Sequence, residues 1–243
     1  MRRLFTLVAV ASASAAASFS AAHAAKFTAQ VSNFELVPTI VCSATDVQNQ
    51  DCSSAAWTTV LNTTIKTPNQ KDLLINGSLQ SAVGTSTTVA SKGGTKSTAG
   101  ASATINVRVL VDGEVATQCG GTSCPGGVAY PYQVTYNARL QQLSAQLLGL
   151  NCTADLTTGA ITCTDPETIS LLIQTTSANS FNFVAPNLAA GTHTIALQVN
   201  IGTSASSDTV AAGASATAEV GVGTLSVEQV QATNLPDGIT FTQ

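Results

Sequence analysis

The chain is short of charge. Asp, Glu, Lys and Arg make up 9% of its 243 residues, against about a quarter in ordinary soluble domains. Its polar surface must therefore be built from Thr, Ser, Asn and Gln. The nine Lys and Arg are scattered and form no basic patch, so binding to nucleic acid or to anionic lipid through a cationic face has no support. Aromatic residues reach 5%, too few for the two aromatic girdles of an outer-membrane barrel. There are two histidines, His23 and His193, and no Cys-x-x-Cys spacing. That removes the usual donor sets for zinc and for a thioredoxin-like redox centre. No Gly-x-Ser-x-Gly elbow marks a hydrolase nucleophile. A mean hydropathy of +0.26 with many β-branched residues argues against disorder.

What is present begins with a leader. Met1-Arg2-Arg3 precedes a short apolar run, Leu4 to Val10, and then an Ala/Ser-rich stretch ending Ala22-His23-Ala24. This is the pattern of a secretory signal peptide over residues 1–24, with small residues fitting the peptidase at Ala22 and Ala24; cleavage after Ala25 is the alternative. The apolar part is shorter than the roughly 20 residues a bilayer span needs. Arg2-Arg3-Leu4-Phe5 partly matches a twin-arginine signal, but a chain that needs disulfides is better exported unfolded. The expected location is secreted or periplasmic, and the alanine-rich leader points to a bacterium. Cleavage leaves residues 25–243 as a single domain, and loss of Arg2 and Arg3 takes the formal charge from −4 to −6.

Six cysteines follow the leader in three close pairs: Cys42 and Cys52, Cys119 and Cys124, Cys152 and Cys163. In an exported chain these read as structural disulfides. Nearest-neighbour pairing is the simplest of the fifteen connectivities that six cysteines allow. A hairpin turning near Thr157-Thr158-Gly159 would join Cys152 to Cys163. Cys119 and Cys124 bracket Gly120-Gly121-Thr122-Ser123, and Cys42 and Cys52 would clip a polar loop between the first two strand regions. Each loop closure contributes about 3 kcal/mol at best.

Period-two alternation dominates the rest. Ala103, Ile105, Val107, Val109 and Val111 share one face, and the turn Asp112-Gly113 follows. Tyr130, Tyr132, Val134, Tyr136, Ala138 and Leu140 share another face, with Gln133, Thr135, Asn137 and Arg139 opposite. His193, Ile195, Leu197, Val199 and Ile201 form a third. Further strands are expected at Phe27–Phe34, Trp57–Lys66, Asp72–Leu79, Gly84–Ser91, Ile169–Thr176, Ser180–Ala185 and Thr217–Ala232. The stretch from Arg139 to Leu150, with leucines at 140, 143, 147 and 150, fits a helix as well as a strand. Apolar parity changes around Gly221 and Gly223, which predicts a β-bulge. The segments at 99–109 and 212–222 echo each other; they are either equivalent strands or a coincidence of an Ala/Ser/Thr-rich chain. The expected fold is all-β: a two-sheet antiparallel β-sandwich, jelly-roll-like, of about ten strands with disulfide-clipped loops.

Few residues offer chemistry. His193 reads as a structural histidine at a strand end. The acid pairs Asp112/Glu114 and Asp165/Glu167 could flank a glycosidic bond or help a weak calcium site, yet both sit in turns. Tyr130, Tyr132, Tyr136 and Trp57 are candidates for sugar stacking, although the tyrosines share a face with core residues. Arg108 and Arg139 lie on polar strand faces. Asn62, Asn76 and Asn151 head glycosylation sequons, which matter only in a glycosylating host. No catalytic, cofactor-binding or metal-binding residue is assigned.

Lys71-Asp72-Leu73-Leu74-Ile75, Val107 to Gly113, Ala178 to Phe183 and Gly191 to Ile195 together resemble a family of exported, uncharacterised microbial β-sandwich proteins, over residues 57 to 230. The Gly191-Thr192-His193-Thr194 phrase is similar to the final strands of jelly-roll modules related to C1q or tumour necrosis factor. The resemblance implies a fold and no catalytic residues. The functional expectation is a non-enzymatic binding or structural role at the cell envelope, with a glycan or a surface protein as partner. Two alternatives stand beside it: a carbohydrate-binding or carbohydrate-active protein, and a self-assembling pilus-like or coat-like subunit.

Overall fold

The computed structural model describes residues 26–32, 37–45, 47–53, 56–91, 93–116, 133–209, 212–235 and 238–242. The described residues contain fourteen strands and no helix. In chain order these are β1 (Phe27–Ser32), β2 (Val37–Thr45), β3 (Gln48–Asp51), β4 (Thr58–Thr67), β5 (Lys71–Ser91), β6 (Lys96–Val111) and β7 (Glu114–Val115). After residues 117–132 come β8 (Gln133–Gln146), β9 (Leu150–Ala154), β10 (Ile161–Asp165), β11 (Glu167–Leu188), β12 (Gly191–Ser207), β13 (Gly213–Leu235) and β14 (Gly238–Thr242). All pairings are antiparallel.

Two six-stranded sheets result. In the first, β13 is flanked by β5, with β11 beyond it, and on its other edge by β1 and β2 in succession; β14 folds back on the end of β13. In the second, β12 is flanked by β6, which carries β7 and β8, and on its other edge by β4 and β3 in succession. The hairpin β9–β10 stands apart as a two-stranded sheet, exposed at all positions but one. Inner faces of both large sheets feed one core: Leu73, Ile75, Leu79, Val220 and Leu225 from the first, Ile105, Val107, Ile195, Leu197 and Ile201 from the second. The fold is thus sandwich-like.

The predicted alternation on β6 and β12 holds at every inward position. The echoing segments occupy β6 and β13, an inner strand of each sheet, and place Ala99, Ala101 and Ala103 in one core face and Ala214, Ala216 and Ala218 in the other. These alanines line the core where β6 and β13 begin, beside Val83 and Val89 of β5. The register of β13 on β5 slips between Val220 and Gly223, where the bulge was expected. Asp112 and Gly113 both take positive φ, 53° and 89°, as the tight hairpin turn between β6 and β7 requires.

Three expectations change. The described residues form fourteen strands, not about ten. Asp72–Leu79 and Gly84–Ser91 are parts of the single 21-residue β5, and Ile169–Thr176 and Ser180–Ala185 are parts of the 22-residue β11. The ambiguous stretch from Arg139 is strand through Gln146. Its pairing with β6 slips between Ile105 and Asn106, and this bulge inverts the faces of β8. Leu140, expected in the core, is 83% exposed, while Arg139 and Gln141 turn inward.

Both described disulfides join nearest neighbours, Cys42 to Cys52 and Cys152 to Cys163; Cys119 and Cys124 lie outside the described residues. The second clips the β9–β10 hairpin, where Cys152 and Cys163 sit directly opposite each other. The first is not a loop clip. Cys42 is a fully buried residue of β2, in the first sheet, and the Cys52 amide donates to Thr203 O of β12, in the second. This bridge therefore staples the two sheets together.

Candidate functional site

His193 opens β12 on its inner face and is 7% exposed. Nδ1 lies 2.7 Å from Asp112 Oδ2, and Nε2 lies 2.9 Å from Ala189 O and 3.2 Å from Thr67 Oγ1. The Asp-His-Thr sequence of contacts imitates a catalytic triad, but the roles differ. Thr67 donates its hydroxyl to Ala189 O at 2.7 Å, and both imidazole nitrogens face acceptors. The ring is thus placed as a double donor, with no lone pair free to act as a general base. Burial disfavours the charged ring, but the bonds to Asp112 and Ala189 outweigh it and raise the His193 pKa. For Asp112 burial acts upward, and is outweighed by hydrogen bonds from His193 and from the Thr194 amide at 2.8 Å, so its pKa is lowered. The group pins the β6–β7 turn to the starts of β12 and the end of β4.

The other acids are similarly occupied. Glu114 follows the same turn in β7, and Asp112 is committed to His193, so the pair does not face a common gap. Asp165 accepts from the Asn151 amide, and Glu167 accepts from the Gly149 amide at 3.2 Å. Among the described residues, no three His, Cys, Asp or Glu side chains gather closely enough to hold a metal ion.

Tyr130 and Tyr132 lie outside the described residues. Tyr136 is half-buried; its hydroxyl accepts from the Leu79 amide at 2.7 Å and donates to Asn179 O. Burial pushes the phenol pKa up, with those bonds opposing. It is a strut between sheets, not a stacking platform. Beyond the bulge, Asn137 donates to Ser81 and Ser177, and Arg139 to Thr175. Gln141, 5% exposed, accepts from Thr85 at 2.7 Å and donates to Thr87 Oγ1 at 2.6 Å and Leu171 O at 2.7 Å. This polar layer fastens β8 to β5 and β11.

A concave feature lies on the outer face of the second sheet. Along one edge of β12, β3 ends at Asp51 and β4 begins at Thr58. Beside this junction is an open hollow of about 610 Å³, whose floor is made by Ser102 and Thr104 of β6 and Gly202 and Ser204 of β12. Asn49 and Asp51 rise on one side, and Asn106 and Asn200, cross-strand partners, at one end. Hydrogen bonds from Ser53 hold the Asp51 carboxyl below its ordinary pKa. Next to Asn106 along β6, the Arg108 guanidinium lies 4.2 Å from the ring centre of Trp57 and donates to Gln198 Oε1 at 2.8 Å, a cation–π contact that fixes the indole. Asn200 donates to Ala56 O at 3.3 Å, tying the hollow to the segment that carries Trp57. Trp57 was a candidate from the sequence; Asn49, Asp51, Asn106 and Asn200 were not. Their signal was a run of small outward residues between taller polar ones, readable only once the strands are in register.

No protein-family model matches the chain, and no curated protein matches it. Among solved structures, it is similar to a structure of the infectious bursal disease virus Gx strain at 12% identity and TM-score 0.13, over 85% of this chain and 46% of that one. A mutant VP2 protein of infectious bursal disease virus aligns at 11% identity and TM-score 0.11, over 85% and 44%. The chain spans less than half the length of these viral chains, and likenesses of this size carry no argument about its function.

Proposed function

We propose that the mature chain is an exported, non-enzymatic binding domain, a jelly-roll-like β-sandwich that works at or beyond the cell envelope through the outer face of its second sheet. The observation that carries this reading is the hollow: small residues at its floor, long amides around it, and the chain's single tryptophan braced beside it. A uniformly solvated sheet face would need none of that relief. Among the described residues, Asp51 is the one carboxylate that lines the hollow, where acid–base cleavage of a glycosidic bond uses two. Two disulfides among the described residues fit an oxidising compartment. The test is a titration of the isotope-labelled mature domain, followed by amide NMR. Its four probes are a pool of oligosaccharides, a pool of neutral peptides, a pool of charged peptides, and phospholipid vesicles. One class is expected to move the amides of Asn106, Asn200 and Gly202. If no class moves them, the binding reading fails.

One observation favours self-assembly as a second reading. β11 is the outer strand of the first sheet and carries a single charged residue, Glu167, in 22 residues. Leu172 and Phe181 are exposed along it. Edge strands that avoid pairing are usually short or carry charges, and this one is long and has a single charge at its start. Light scattering across a concentration series is expected to show association that Leu172→Lys removes; a monomer at every concentration would exclude it.

A further inference from the structure

We infer that the hollow beside Trp57 takes a neutral oligosaccharide; the inference rests on the binding reading above and names its ligand class. The lining chemistry selects it. Amides and hydroxyls each donate and accept, as sugar hydroxyls do, and the hollow offers Asn49, Asn106, Asn200, Ser102, Thr104 and Ser204. Some of this capacity is uncommitted: the Asn49 amide and Thr104 hydroxyl have no hydrogen-bond partner among the described residues, and Asn106 uses only its oxygen, accepting from Thr135 at 3.2 Å. Anionic ligands are disfavoured. No Lys or Arg lines the hollow among the described residues, the Arg108 guanidinium is spent on Trp57 and Gln198, and the ionised Asp51 repels phosphate, sulfate and uronate groups.

Shape argues in the same direction. From Asn200 to Ser206 the hollow follows β12 for about 20 Å, longer than one sugar ring. Apolar surface for the faces of sugar rings is present at Trp57 and at Leu140, which is 83% exposed and lies opposite Ser102 across the β6–β8 pair. A peptide is a poorer fit. Peptides in extended form are held by free strand edges or by deep apolar pockets. Here β12, which runs along the floor, is paired on both sides, by β3 and by β6, and the floor is hydroxyl and glycine.

Calorimetry on the mature protein tests this with cello-, malto-, manno- and chito-oligosaccharides of four to six units as probes, and an oligogalacturonate of equal length as the charged comparison. One neutral series is expected to bind. Asn106→Ala and Trp57→Ala should each weaken it by about tenfold or more, and Asn49→Ala by less. Leu172→Ser, on the opposite sheet, should leave it unchanged. Asn49 and Asn106 face solvent, so their variants keep the fold, which unchanged circular dichroism and melting confirm. Absence of binding by all four neutral series, tighter binding of the oligogalacturonate, or binding that ignores both Asn106→Ala and Trp57→Ala overturns the assignment. In the titration above, movement of the hollow's amides by peptides or vesicles alone sinks the oligosaccharide and leaves a binding domain. Movement by none sinks both.

Discussion

His193 contributes to stability in a way that depends on pH. Its pKa is raised above the ordinary 6.5 and that of Asp112 is lowered below the ordinary 3.8. A raised histidine stabilises fully below its unfolded value and loses that contribution as pH rises through the folded one; a lowered carboxylate stabilises above its unfolded value and loses it as pH falls. The contact is therefore strongest between those two ordinary values. Urea midpoints of the wild type and His193→Gln should differ more at pH 5.5 than at pH 9, and an equal difference at both would show the ring is not charged in the fold. Gln141 is different because it does not titrate. Gln141→Ala removes three hydrogen bonds and leaves Thr85, Thr87 and Leu171 O unpaired or half-paired in a buried layer, which should cost about 2–3 kcal/mol in urea unfolding. Sequence reading placed His193 well, since alternation put it on the same face as Ile195 and Leu197. It misplaced Arg139 and Leu140 because one inserted residue inverts every position after it. The clue was available in Leu143 and Ala145, which are out of phase with Val134 and Tyr136.

At the level of elements, the two described disulfides separate cleanly. Their sequence separations, 10 and 11, give nearly equal loop entropies in the unfolded chain, about 3 kcal/mol each. Their native settings differ. Without its bridge, the exposed β9–β10 hairpin can fray by itself, because a lone hairpin is marginal in water. The folded state then regains the entropy that the unfolded state gained, and the two cancel. Cys152→Ala with Cys163→Ala should thus leave global stability within about 1 kcal/mol while speeding hydrogen exchange across 150–165. Cys42→Ala with Cys52→Ala releases β2 from the second sheet and leaves Cys42's buried site underfilled; a loss of about 3 kcal/mol or more is expected. Equal losses in the two double variants would refute the inter-sheet staple. Sequence spacing suggested both pairings but could not distinguish a loop clip from a staple, because that depends on β2 and β3 joining different sheets.

Over the whole molecule, strand length sets the shape. β5, β11 and β13 run 21, 22 and 23 residues, where ordinary strands have about 5–6. Sequence reading divided two of them because Gly84 and the serines near 78–81 and 177–180 look like turn residues. In the fold these small residues serve close packing: a Cβ on Gly84 would come within 2.5 Å of Thr217 Oγ1, and Ser81 and Ser177 both accept from Asn137. Turn chemistry and tight cross-strand contact draw on the same residue types, so local sequence cannot separate them. At about 3.3 Å per residue the long strands reach roughly 70 Å. A round domain of about 220 residues has a radius of gyration near 17 Å and a diameter of roughly 45 Å. Small-angle scattering from the purified monomer should therefore give a maximum dimension of about 70 Å or more and a skewed distance distribution. A symmetric distribution ending near 45 Å would mean that β5, β11 and β13 do not run unbroken in solution. It would also remove the long edge on which self-assembly through β11 depends, while leaving the hollow between Asn49 and Asn200 intact, since that site needs only the second half of β12 and its neighbours in β3 and β6.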